Sequence, residues 1–303
     1  MEKAIIYQIF TRLFGNTNTT RKHNGTLTDN GCGKLNAFTP AVLRRIKELG
    51  ATHVWYTGVI RHATTTDYTR YGIPRQHPAV VKGNAGSPYA ITDYYDIDPD
   101  LATNVDKRMN EFESLVKRTH KAGLKMIIDF VPNHVARQYK SIAKPEGIAD
   151  FGENDNTGMQ FSPQNNFYYC PEQSFAADID LYHGEELPYE EFPAKATGND
   201  CFGNRPGRND WYETVKLNYG VDYCDAGGVS THFSPTPDTW KKMLDILLFW
   251  AGKGVDAFRC DMAEMVPSAF WQWVTTEVRK NHHNVKFIGE VYNPGRYREY
   301  INA

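Results

Sequence analysis

Apolar positions along this chain switch between two periods. Short apolar runs of strand length stand at 4–10 (AIIYQIF), 51–60 (ATHVWYTGVI), 124–130 (LKMIIDF), 255–261 (VDAFRCD) and 285–292 (VKFIGEVY). Segments of helical period separate them. TPAVLRRIKELG (39–50) predicts a helix with Thr39 as N-cap, Pro40 in the first turn and Gly50 as its stop. DKRMNEFESLVKRTHKAG (106–123) puts Met109, Phe112, Leu115 and Val116 on one face and stops at Gly123. TPDTWKKMLDILLFWAGKG (236–254), opening on Thr236 and Pro237, and PSAFWQWVTTEVRKN (267–281) read as two more helices. Five strands alternating with helices predict an α/β fold with a parallel sheet covered on its outer face. Residues 135 to about 235 break the rhythm. They are rich in Asn, Gly, Pro, Tyr and Asp, and so long a stretch without periodic structure predicts an inserted subdomain.

Composition narrows the function classes. The 303 residues carry 36 acidic and 34 basic side chains, which leaves no electrostatic footprint for nucleic acid. No apolar run approaches the roughly 18 residues of a membrane span. The start, MEKAIIYQIF, lacks the apolar stretch and cleavage site of a signal peptide, so a cytoplasmic location is expected. Five cysteines, at 32, 170, 201, 224 and 260, are an odd number with no CxxC pair, and free thiols are expected. The 18 Tyr, 16 Phe and 6 Trp suit packing, and they also suit flat sugar rings.

The chemistry gathers where the strands run out. In α/β folds ligands meet the C-terminal strand ends. The third strand ends in Asp129 and leads to Asn133 and His134. The fourth ends in Arg259 and Asp261, two apart and so on one face. The fifth carries Glu290. Two carboxylates on one rim suit glycoside hydrolysis, which needs one as nucleophile or base and one as acid. Arg259 is expected to depress the pKa of Asp261 and keep it ionised as a nucleophile. Burial of Glu290 in the apolar run FIGEVY is expected to fit it for proton donation. Asp129 and His134 suit hydrogen bonds to sugar hydroxyls and support of the rim. Metal binding by Asp129 and His134 is the weaker alternative, because no HxH or HExxH spacing accompanies them.

Other residues have plainer readings. Trp271 and Trp273 are helix-packing residues, and Cys260 should point away from the rim into the core. Tyr7 is expected in the core. Asp178, Asp180, Asp222 and Asp225 suit loop turns. Trp211 and Tyr212 fit a cleft wall and a structural role about equally.

At these positions the chain resembles the α-amylase family, glycoside hydrolase family 13. DFVPNH resembles the family's first signature, GVDAFRCDMAE the second and FIGEVY the third. SPYAITDYYDID (87–98) is similar to the segment after strand two, and VKLN (215–218) to the short signature near the end of the inserted domain B. The motifs occur in family order from residue 4 to 292. The resemblance implies a (β/α)8 TIM-barrel type, present here as about its first five strands. Residues 1–134 and 236–303 would form the partial barrel, and 135–235 domain B. It implies Asp261 as nucleophile and Glu290 as acid/base. Tyr89, Asp129, His134 and Arg259 would bind substrate, and Asn133 would tie down the domain B loop, through calcium in many members. The implied activity is retaining cleavage of α-1,4-glucosidic bonds in an α-glucan or malto-oligosaccharide. Transglycosylation by the same machinery, or a glucan-binding fragment without turnover, are the alternatives. The family's fourth signature is absent, so the chain is expected to be the N-terminal part of a longer enzyme. After the nucleophile, Glu264 and Met265 stand where many family members have a Lys-His pair.

Overall fold

In the computed structural model, residues 3–181 and 186–303 are described. Five parallel strands form the central sheet: β1 (Ile6–Phe10), β2 (His53–Thr57), β3 (Lys125–Phe130), β4 (Ala257–Cys260) and β5 (Lys286–Gly289). Their spatial order is their sequence order. Helices α1 (Pro40–Glu48), α2 (Arg108–Lys121), α3 (Asp238–Gly252) and α4 (Ser268–Asn281) make the crossovers.

The local signals act as the sequence predicts. Thr39 Oγ1 accepts the Val42 amide at 3.3 Å and caps α1. α2 buries Phe112, Leu115 and Val116 on one stripe. Each such burial stabilises by about 1.5–3 kcal/mol. Phe112 meets Trp250 of α3 edge to face, 5.2 Å between ring centroids. One boundary differs. α3 begins at Asp238 with Pro237 in extended conformation before it, so Thr236 lies outside the helix.

Two excursions leave the C-terminal rim. Between β2 and β3, strands Ile60–His62 and Ile91–Ile97 pair antiparallel and bring Tyr89 to the rim. After β3, His134–Ala136 pairs antiparallel with Thr214–Lys216, His134 opposite Lys216. The chain therefore departs and returns side by side; between the two, Tyr169–Cys170 pairs with Ala194–Lys195, and after the return Val221–Asp222 pairs with Ser230–Thr231. Residues 182–185 of this excursion lie outside the described residues.

Among the described residues, β1 pairs only with β2 and β5 only with β4. Tyr7, expected in the core, is 39% exposed because β1 is an edge. All five cysteines are free thiols. No described helix is long and apolar enough to cross a membrane.

Candidate active site

Alternation along β4 sorts its side chains. Phe258 and Cys260 are buried on the helix side, as predicted for Cys260, while Arg259 and Asp261 share the rim face. The ladder aligns Arg259 with Asp129 of β3 and with Ile288 of β5. Glu290, two residues past Ile288, thereby faces the same guanidinium. Arg259 donates to Asp261 Oδ1 at 2.6 Å and lies 2.6 Å from Glu290 Oε1 through its other terminal nitrogen. One planar fork holds both carboxylates, each through its own terminal nitrogen, in a fixed geometry that the point charge of a lysine would not impose. The guanidinium also lies over the rings of Trp55, at 5.2 Å, and Tyr89, at 5.5 Å.

Burial outweighs this pairing at Asp261. Loss of solvent pushes its carboxyl up to about 7, against the pull of Arg259 and with a further push from Glu290 and Asp129. Arg259 does pull the Asp261 carboxyl down, as expected, but burial is the larger effect, so the expected net depression is corrected. The expected burial of Glu290 is corrected as well. Its side chain is 26% exposed, because β5 has no outer neighbour and Ile288 on it is 36% exposed.

Asp129 is buried beneath the rim. Its oxygens accept Trp55 Nε1 at 3.1 Å and the Gly58 amide at 3.0 Å. Gly58 has φ +76°, a conformation that turns this amide to the carboxylate and disfavours a side chain. Burial still raises Asp129 to about 6. With both oxygens engaged, Asp129 braces Trp55 and Arg259 and does not line the cavity, contrary to the sugar contact expected of it. His134 does line it. Burial and then the charge of Lys216 lower its pKa to about 3, while a backbone hydrogen bond with Tyr89 opposes them. The imidazole is thus neutral at ordinary pH.

The residues around Asn133 do not fit the calcium that the resemblance implies. Lys216 Nζ already sits 2.8 Å from Asn133 Oδ1 and 2.6 Å from Asp200 Oδ1, fully buried, in the place a cation would take. Asn133 does tie down the excursion: its Nδ2 donates to Gly198 O at 2.7 Å and its carbonyl accepts the Leu217 amide at 2.9 Å. Gly198 must be glycine there, since a Cβ would lie 2.6 Å from Thr214 Oγ1 and 2.8 Å from His134 Cβ. The aspartates at 222 and 225 cap turns, as their sequence context suggests.

A cavity of about 340 Å³ joins Tyr89, His134, Arg259, Asp261 and Glu290. Trp211 closes it from the returning excursion, its ring 5.2 Å from that of His134. Sequence reasoning missed Lys82 and Glu213, which complete this wall as an ion pair at 3.0 Å. Glu213 stands two residues before VKLN, and that proximity was the one signal for it. The cations of the cavity wall are both engaged with carboxylates. The arrangement can present one carboxylate to an electrophilic carbon and a second, water-accessible carboxyl as proton donor to a leaving oxygen.

The α-amylase catalytic-domain family model matches residues 8–296. The chain belongs to the α-amylase family. Among curated members, it is 25% identical over 265 residues to trehalose-6-phosphate hydrolase of Bacillus subtilis (strain 168), covering 88% of this chain and 36% of that protein. It is 24% identical over 270 residues to maltase A2 of Drosophila melanogaster, covering 86% and 35%. The crystal structure of an α-amylase from Lactobacillus plantarum shares the fold, with TM-score 0.57 and 22% identity over 98% of this chain and 47% of that one. The chain thus spans between a third and a half of the length of these α-amylase family members. The TIM-barrel type of the family agrees with the five parallel strands in sequence order.

Proposed function

We propose that this chain carries the nucleophile and the acid/base of a retaining glycosidase acting on α-1,4-glucosidic bonds of an α-glucan or malto-oligosaccharide. The observation that carries the reading is the single guanidinium of Arg259 shared by Asp261 and Glu290, 2.6 Å from each. Retaining chemistry needs two carboxyls close together, roughly 5–5.5 Å apart, and a shared fork supports such closeness. Asp261 Oδ attacks the anomeric carbon while Glu290 protonates the departing glycosidic oxygen. Glu290, then ionised, takes a proton from water, which opens the glycosyl–Asp261 ester and restores both groups. Neutral His134 fits hydrogen bonding to a sugar hydroxyl, and Tyr89 offers a ring face. On this reading residues 1–134 and 236–303 supply the first five strands of the family barrel, and 135–235 supply domain B as one wall of the cleft.

Replacing Asp261 by Ala should abolish turnover while leaving the fold largely intact, because the residue sits on the rim. Glu290→Gln should keep glucan binding and lose starch hydrolysis, by about 10²–10⁴-fold. Activated aryl α-glucosides need less acid assistance and should suffer less in forming the intermediate. Starch hydrolysis at the parent rate by Glu290→Gln would remove the acid/base role.

A further inference from the structure

The loop after β4 does more than lead into α4. Met262 stands in the left-handed region at φ 48°, an uncommon state for a side-chain-bearing residue and one that concentrates at functional sites. The strain turns its amide to Glu290 Oε2, at 2.9 Å. Two residues on, Glu264 Oε2 accepts the successive amides of Tyr292 at 2.9 Å and Asn293 at 3.0 Å. Its carbonyl accepts Arg296 at 2.7 Å and the Tyr300 hydroxyl at 3.0 Å.

Glu290 needs such support. Its own amide, bonded to Cys260 O at 3.0 Å, is the last rung of the β4–β5 ladder, and β5 has no strand on its other side among the described residues. The Glu290 side chain is held by Arg259 and the Met262 amide and meets the Tyr292 hydroxyl, which also lies 3.0 Å from Met262 Sδ. The backbone beyond that rung is held by the carboxylate of Glu264 through two successive amides. Hydrogen bonds from amides to an ionised acceptor are about twice as strong as neutral ones.

We propose that Glu264 is a positioning residue for Glu290, clamping the strand end that carries it through the Tyr292 and Asn293 amides. The proposal rests on the acid/base role of Glu290 given above. Displacement of a catalytic group by about 1 Å costs on the order of 10²-fold, so the clamp acts on rate.

The test compares Glu264→Ala and Glu264→Gln. Amide hydrogen exchange is the first readout. In Glu264→Ala the Tyr292 and Asn293 amides lose their acceptor whatever the role. Positioning predicts that the Met262 amide, which reports where Glu290 lies, also exchanges about tenfold faster. Glu264→Gln keeps an acceptor oxygen and should restore most of that protection. The second readout is hydrolysis of a malto-oligosaccharide, whose leaving group needs the acid: kcat should fall by about 10–100-fold in Glu264→Ala with KM within about twofold, and Glu264→Gln should recover most of it. Unchanged Met262 exchange in Glu264→Ala, or an unchanged kcat, overturns the proposal. If instead Glu290→Gln turns over normally, the acid/base role fails, and the exchange result still decides whether Glu264 holds Glu290 in place.

Discussion

Asp261 sets desolvation against pairing, and desolvation wins. Its folded carboxyl titrates near 7, above the roughly 3.9 of an unfolded aspartate. The folded state thus binds the proton more tightly. The contribution is favourable below the unfolded value and is lost as pH rises towards 7. Substituting Asp261→Asn removes that loss, and it should raise Tm by a few degrees at pH 8 with little change at pH 4. Turnover has the opposite preference, because the nucleophile must be ionised. The acid limb of kcat/KM should therefore lie near pH 7 and fall about tenfold per pH unit below it. A limb near pH 4, together with an Asp261→Asn variant no more stable at pH 8, would mean that Arg259 governs the group after all.

At the scale of elements, the helices and the strand order were legible because their causes are local. Thr39, Pro40 and Gly50 mark α1 without reference to any other segment, and the stripe Phe112, Leu115, Val116 marks α2. The rim pair Arg259 and Asp261 was legible for the same reason, since a two-residue period needs no partner. The misreadings share a different cause. Whether FIGEVY is buried depends on what lies beyond β5, and the cation at Asn133 depends on where the excursion returns. The pairing of His134–Ala136 with Thr214–Lys216 places Lys216 between Asn133 and Asp200, and burial lowers its pKa against the pull of Asp200. Lys216→Met should destabilise by roughly 1–3 kcal/mol. Asp200 is 42% exposed and can turn to water, so the orphaned group would be the buried Asn133 oxygen. Denaturant unfolding measures this, and a neutral result would mean that the ammonium's desolvation cancels its bonds.

Among the described residues the central sheet presents two unpaired edges, and each bears apolar side chains. Ile6, Tyr7 and Phe10 of β1 and Ile5 just before it are 39–44% exposed. Ile288 is exposed on β5, and next to that edge a groove of about 570 Å³ opens between β5 and α4, lined by Trp271, Phe287 and Ile301. Closed barrels have no edges, whereas an open edge offers free amides and carbonyls to any strand that reaches it. Apolar surface beside such an edge adds a driving force for contact. The chain alone should therefore self-associate in a concentration-dependent way at micromolar to millimolar levels. Ile6→Lys and Ile288→Lys place a charge on each edge; position 288 shares its strand face with Glu290 and pairs in register with Arg259, so the readout is association and not activity. Together they should shift the sedimentation distribution towards monomer. Because charged edge residues blunt strand pairing, the double variant should be more monomeric than either single one. A chain that sediments as a monomer up to about millimolar concentration, with no change in the double variant, would show that these edges are not what drives contact.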